Sequence, residues 1–430
     1  MSPGRGYHPL VSRSPAFLIV ASWLAVACGA TQATSPTRTV RSTSTSTSTS
    51  TATSTSTATS TSTATATSTS ALPPPPTTDE ERLADEIAAL RHLTRRAPLH
   101  VETVDEETFR KRTALPPADV ATVSTYVAFG VIRHDPRAAP PPSQRAYLGL
   151  YDFSSHALLI RKGLSPSSER GVLVHELAHA LEDQSFGMPG GEDRDDDHAL
   201  ALKSLYEGDA MVVRELYAAA AENVDPAKRL EHAVFVLRTN PRDKLARGLG
   251  VPESATREPR WNETISAYLD GMIFVSKLYD HGGFPAIDQA FAAPPESTEQ
   301  ILHPEKFIAG ERPVTVDAPA PPEGSEKLAE GTWGELRTRL LLGRCGKTGV
   351  VDGWGWGGDR YVVSKSSGSE LSLSWSTVWD TEGDAMRFEN ALRNAAASCW
   401  PSEQRGGMWI GKKDHVRRDG LHVVYTRGAF

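Results

Sequence analysis

The stretch Val172-Leu173-Val174-His175-Glu176-Leu177-Ala178-His179-Ala180-Leu181 constrains this chain more than any other, because it sets two histidines four residues apart with a glutamate beside the first. On an α-helix an i, i+4 pair lies on one face about one turn apart, so both imidazoles can address one metal ion while Glu176, about 100° round, overhangs it. With 13 histidines in 430 residues, chance yields such a pentapeptide on the order of a few hundredths of a time. Every other position from Val172 to Leu181 is Val, Leu or Ala. A helix this apolar belongs in a core, where charges are costly unless they serve one another or a metal. The pattern predicts a buried helix holding zinc on His175 and His179, with Glu176 placed to take a proton from the attacking water. The alternative is an ordinary helix whose histidines are satisfied by hydrogen bonds.

A catalytic zinc takes a third protein ligand. A metzincin arrangement would need glycine at 182 and histidine at 185; Glu182 and Ser185 stand there and exclude it. Helical periodicity resumes at His198 and runs through Leu202, Leu205, Tyr206, Met211 and Val213. Within it Glu207 is a carboxylate among apolar neighbours, which is costly unless paired or metal-bound. Gly208 costs about 1 kcal/mol of helix propensity relative to alanine, which predicts close approach of another backbone, expected to be the metal helix. The expected ligands are therefore His175, His179 and Glu207, with His198 as a weaker rival to Glu207. Asp183, one turn beyond His179, and Asp209 are candidates for orienting a ligand imidazole, or else surface carboxylates.

The beginning of the chain reads as an address. Arg5 and Arg13 precede an apolar run from Ala16 to Ala27, too short to span a membrane stably, which predicts an export signal. It closes Leu24-Ala25-Val26-Ala27-Cys28-Gly29, which resembles a bacterial lipobox, so residues 1–28 would end in a lipidated Cys28; a plain signal peptide cut near Ala30 is the alternative. Residues 29–78, mostly Thr, Ser, Ala and Pro, have almost nothing to bury and read as a disordered linker: a tether or a glycosylated stalk. Once Cys28 is assigned to lipid, Cys345 and Cys399 remain, a pair expected either to form a disulfide after export or to stay as buried thiols. The net charge of -7 comes without a basic run, so no nucleic-acid partner is expected.

The remainder predicts an α+β fold: a mainly helical body with a small edge sheet over residues 79–312, a proline-rich connection over 313–326, and a C-terminal α+β domain over 327–430. Asp79 to Arg95 reads as a helix, Leu99 to Val104 as a strand, a helical stretch begins at Glu106, and Tyr147 to Asp152 with His156 to Lys162 reads as a hairpin. Ser165 to Glu169 carries capping chemistry for the metal helix. Seven of the nine tryptophans lie in the C-terminal part. An exposed row would suggest glycan binding, whereas burial in a sheet–helix core is the commoner outcome.

Cleavage of an acyl bond also needs a donor for the oxyanion. Two residues are candidates. Tyr268 lies in the apolar stripe of a helix expected over Thr264 to Tyr279, ended by His281-Gly282-Gly283. His303 precedes a proline in a polar segment, although Ser297-Thr298-Glu299-Gln300 also reads as a capping box that would give His303 a purely structural place.

His175-Glu176 through His179 with the downstream Glu207 resembles the gluzincin group of zinc metallopeptidases. The wording of His175 to Gln184 and of Tyr206 to Ala210 is similar to a family of exported, largely uncharacterised bacterial proteins, which also carries segments like Pro294 to Phe307, Gly355 to Tyr361 and Trp379 to Glu382. The similarity spans about Tyr147 to Leu392. It implies a zincin-like catalytic body and one Zn2+. In such peptidases the strand before the metal helix forms the sheet edge on which an extended substrate is laid, here Ala157 to Ile160; an ordinary core strand is the alternative. The chain departs from better-known gluzincins at Met211, where they have an aspartate four residues after the ligand glutamate.

These readings predict a membrane-anchored lipoprotein of a bacterial envelope, or a secreted protein, that cleaves peptide bonds with a zinc-activated water and Glu176 as general base. The alternative is a non-enzymatic surface protein, stabilised by zinc, whose Trp-rich domain binds glycan or a protein partner. An iron site using two histidines and a carboxylate is chemically open but rarely uses this pentapeptide.

Overall fold

Capping side chains decide where several helices begin. Thr78, Asp105, Asp119, Ser165 and Asp225 each accept the amide hydrogen of the third residue onward, satisfying a donor that has no partner inside the helix. The computed structural model describes residues 75–114, 119–131, 148–187, 196–248, 259–344, 355–366, 370–398, 409–410 and 414–428. The export signal, the linker, Cys28, Cys345 and Cys399 lie outside the described residues, as do residues 136–142 and 192–195.

The first half runs α1 (Asp79–Arg91), β1 (His100–Val104), α2 (Glu106–Arg112), α3 (Val120–Ala128), β2 (Gly149–Asp152), β3 (Ala157–Arg161), α4 (Pro166–Phe186) and α5 (Asp196–Glu222). Helix α1 stops short of Arg95 because His92 turns into the left-handed region at φ 61 and its amide hydrogen closes the helix on the carbonyl of Ala88. Then follow α6 (Pro226–Thr239), α7 (Arg242–Gly248), α8 (Pro259–Ala292), α9 (Thr298–Leu302) and α10 (Pro304–Ile308). Helix α8 kinks at Gly282 and Gly283, where the backbone leaves helical angles.

Strands β1, β3 and β2 form one sheet in that order. This corrects the expected edge. Strand β3 is central, because β1 pairs with it in parallel from His100↔Ala157 onward while β2 pairs on its other side. The edge strands are β1 and β2.

One face of this sheet packs Tyr151, Leu158 and Ile160 against Leu83 and Ile87 of α1 and Val172, Leu177 and Leu181 of α4. A second core joins α5 to α8. Here Gly208 meets Gly271: a Cβ at Gly208 would stand 2.2 Å from the carbonyl oxygen of Gly271, and one at Gly271 would stand 2.1 Å from that of Ser204. The close backbone approach expected at Gly208 exists, but its partner is α8 and not the metal helix.

The chain continues through β4 (Glu326–Gly331), α11 (Gly334–Arg344), β5 (Trp356–Lys365), β6 (Glu370–Trp379), α12 (Glu382–Ser398), β7 (Trp409–Ile410), β8 (Asp414–Asp419) and β9 (His422–Arg427). Strands β4-β5-β6-β9-β8 form an antiparallel sheet, with β7 pairing β6 in parallel. The fold class is α+β, a helical body followed by this sheet. Trp333, Trp356, Trp375 and Trp379 are all buried, so among the described tryptophan side chains there is no exposed row. Their core also takes in α3: Phe129 stacks on Trp333 with ring centroids 3.8 Å apart.

Candidate metal centre

Helix α4 carries His175 and His179 on one face, as their spacing requires, with Nε2 atoms 3.1 Å apart and rings at 85° to each other. Glu207 reaches them from α5. Its Oε2 lies 3.4 Å from His175 Nε2 and 3.7 Å from His179 Nε2, and it accepts no hydrogen bond. One ligand atom from each residue falls within 4.8 Å of the other two, and all three residues are buried.

Two imidazole nitrogens and one carboxylate oxygen, fully buried and aimed at one point, are a donor set suited to zinc. Another acidic trio, Glu299, Glu311 and Asp380, also converges. There Lys306 Nζ sits at 2.7, 2.7 and 2.6 Å from the three carboxylates, so an ammonium already supplies the countercharge. His198 is not part of either cluster.

Glu182 orients His179. Its Oε2 stands 2.8 Å from His179 Nδ1, and a proton held on Nδ1 leaves the Nε2 lone pair for the metal. Burial lowers His175 to about 4 and keeps it neutral. Burial also opposes a charge on His179, but the carboxylates of Glu182 and Glu207 outweigh it and raise its pKa. Burial pushes Glu207 upward, yet the two imidazoles facing it hold it at about 2, a permanent anion. A divalent cation bound by His175, His179 and Glu207 would displace any proton they hold, because imidazole and carboxylate bind metal deprotonated.

Glu176 is fully buried, and burial raises it to about 8. Its Oε2 accepts the amide hydrogen of Tyr151, on edge strand β2, at 2.8 Å, and Oε1 accepts no hydrogen bond. The fit is close. A Cβ at Gly149 would stand 2.5 Å from Val172 Cγ1 and 3.0 Å from Glu176 Cγ.

Of the two oxyanion candidates, the structure brings only Tyr268 to the cluster, its ring stacked 5.8 Å from that of His175. His303 is held elsewhere: its Nε2 stands 3.1 Å from both Glu335 Oε1 and Arg339, on α11. Ser297 makes no side-chain cap bond; Asp197 of α5 caps α9 instead, accepting from Thr298 N at 2.9 Å and Thr298 Oγ1 at 2.7 Å.

Neither Asp183 nor Asp209 touches a ligand imidazole. Asp183 accepts from Tyr151 Oη and lies 2.7 Å from His156 Nδ1. Asp209 receives Arg91 Nε at 2.9 and 3.1 Å, and Arg91 also donates to Asp288 at 2.8 Å. Glu182 at i+3 and Asp183 at i+4 from His179 both carry a helix-spacing signal, and spacing alone does not choose between them. Arg91, Gly149 and Tyr151 have no local signal.

The segment 324–429, which takes in β4 to β9 with α11 and α12, matches the profile of a family described as "Domain of unknown function (DUF8575)". No curated protein and no solved structure matches the chain.

Proposed function

We propose that this chain is a zinc-dependent hydrolase of peptide (amide) bonds. The observation that carries the reading is the convergence of His175 Nε2, His179 Nε2 and Glu207 Oε2, with the unshared carboxylate oxygen of Glu176 beside them. Zinc held there would polarise the scissile carbonyl and lower the pKa of the attacking water.

The protein's own residues supply the rest. The Tyr151 amide fixes one oxygen of Glu176, which leaves Oε1 to take a proton from water and return it to the departing amine. Burial raises the Glu176 carboxyl, and a divalent cation bound beside it would favour the ionised form that takes a proton. Tyr268, against His175, is the donor for the oxyanion.

The second reading, a zinc-stabilised scaffold, is favoured by the burial of His175, Glu176, His179 and Glu207, each exposed by 1 % or less. One comparison separates the two. The full chain and Glu176→Gln are assayed for metal content and for cleavage of a proteome-derived peptide library. Zinc in both with cleavage by the wild type alone supports the hydrolase; zinc in both with cleavage by neither supports the scaffold; no zinc in either overturns both.

The same reading places the protein outside the cytoplasm, tethered by lipid on Cys28. It rests on Arg5, Arg13 and the apolar run that ends at Cys28. Cys28→Ala should then leave the membrane fraction and lose labelling by a radioactive fatty acid.

A further inference from the structure

Tyr151 of β2 is joined to α4 at two points. Its amide donates to Glu176 Oε2 at 2.8 Å, and its hydroxyl donates to Asp183 Oδ2 at 2.7 Å. Glu176 and Asp183 are seven residues apart on α4, so they lie on one face two turns apart, roughly 10 Å along the axis, with His179 between them along the helix. The amide is available because β2 is an edge strand. Arg161 donates to the Leu148 carbonyl at 3.0 Å, and the alternation of an antiparallel ladder then turns the Tyr151 amide away from β3.

The same carboxylate also holds the turn of the hairpin. His156 stands there at φ 53, and its Nδ1 lies 2.7 Å from Asp183 Oδ2. Asp183 therefore ties both the strand and the turn of the β2–β3 hairpin to the C-terminal end of α4. The ring of Tyr151 is already held by the core it shares with Leu83 and Leu177. The hydroxyl adds direction: one bond would let the Tyr151 peptide group swing about the strand, whereas two bonds two turns apart fix where its amide points. Burial first, and the Asp183 carboxylate second, raise the Tyr151 phenol and keep it protonated as the donor.

Glu176 depends on that amide. Among the described residues the bond from Tyr151 is the one hydrogen bond its carboxylate accepts, and Oε1 accepts none. A glutamate side chain has several rotatable bonds, and only a fixed partner holds its carboxylate in one orientation.

Resting on the hydrolase reading, we propose that Asp183 is a positioning residue for the general base: through Tyr151 it aims the Glu176 carboxylate so that Oε1 faces the attacking water. Without this clamp His175, His179 and Glu207 keep their places, and Glu176 loses its aim.

The test compares the zinc-loaded full chain with Tyr151→Phe, Asp183→Ala and Asp183→Asn on peptides that the wild type cuts. Tyr151→Phe and Asp183→Ala should each keep zinc and KM near their wild-type values while kcat falls by about 10-fold or more, because a catalytic group displaced by about 1 Å loses on the order of 100-fold. Asp183→Asn, which keeps an acceptor oxygen, should recover most of kcat. Tyr151→Phe/Asp183→Ala should be no slower than the slower single variant, since both changes remove the same bond.

Unchanged kcat in both single variants, a fall that comes with loss of zinc, or losses that multiply in the double variant overturn the proposal and leave the hydrolase reading standing. A wild type that cleaves nothing overturns the hydrolase reading instead. Hydrogen exchange then decides the clamp on its own, in the full chain isotope-labelled at tyrosine nitrogen, with the Tyr151 signal identified by its loss in Tyr151→Phe. A Tyr151 amide that exchanges several-fold faster in Asp183→Ala, with the other tyrosine amides unmoved, supports the clamp, and equal exchange overturns it.

Discussion

His179 Nδ1 and Glu182 Oε2 stand 2.8 Å apart, both fully buried, three residues apart on one helix. The pair fixes the ring and its tautomer, so under the proposed zinc chemistry His179 would be oriented before an ion binds. Removing the acceptor should weaken zinc binding by about 10- to 100-fold, the usual effect of losing such a partner. Competition against a chromophoric chelator should show the full loss in Glu182→Leu and a smaller one in Glu182→Gln, which keeps a neutral acceptor.

Gly208→Ala sets two effects against each other. Alanine gains about 1 kcal/mol of helix propensity. Its Cβ would stand 2.2 Å from the carbonyl oxygen of Gly271 and 2.8 Å from Val275 Cγ2, and overpacking against backbone costs about 1–3 kcal/mol. The clash should win. Thermal melting should fall by several degrees, with weaker zinc binding because Glu207 is the adjacent residue, and adding Gly271→Ala should deepen the loss.

Gly149→Ala should separate metal binding from chemistry. Its Cβ would crowd Val172 and Glu176 and leave the three ligands untouched. Zinc content should hold while kcat falls on the order of 100-fold, the effect of displacing a catalytic group by about 1 Å.

Asp197 offers a pH test away from the metal. Burial raises it to about 8, against the bonds from Thr298 and the pull of Arg337, which lower it, and with Asp359 adding to the rise. The folded protein therefore keeps a proton that the unfolded chain releases above pH 4. Stability from this group is complete at low pH, is lost as pH rises toward 8 and levels off beyond. Zinc-loaded Asp197→Asn should show a flatter decline in melting temperature between pH 5 and 8 than the wild type; an identical slope in both would sink this account.

The sequence alone determined the parts of the centre that depend on neighbours along the chain. The i, i+4 spacing of His175 and His179 needs only a helix to put both rings on one face, and the apolar flanks dictate that the helix is buried. Glu207 was legible because a carboxylate inside an apolar helical stretch must be compensated. The Gly282-Gly283 break and the β2–β3 hairpin follow from backbone chemistry of the same local kind.

Only the tertiary structure decided which element covers which face. Periodicity says that one side of a helix or strand is buried and is silent about its partner, because that choice is made between residues far apart in the chain. Gly208 meets Gly271 and not α4, β1 arrives from before α2 to make β3 central, and α3 joins the tryptophan core some 200 residues away. Asp209 is taken by Arg91, and His303 is drawn to Glu335 on α11. Each is a contact whose two halves carry no shared local signal, and packing alone brings them together.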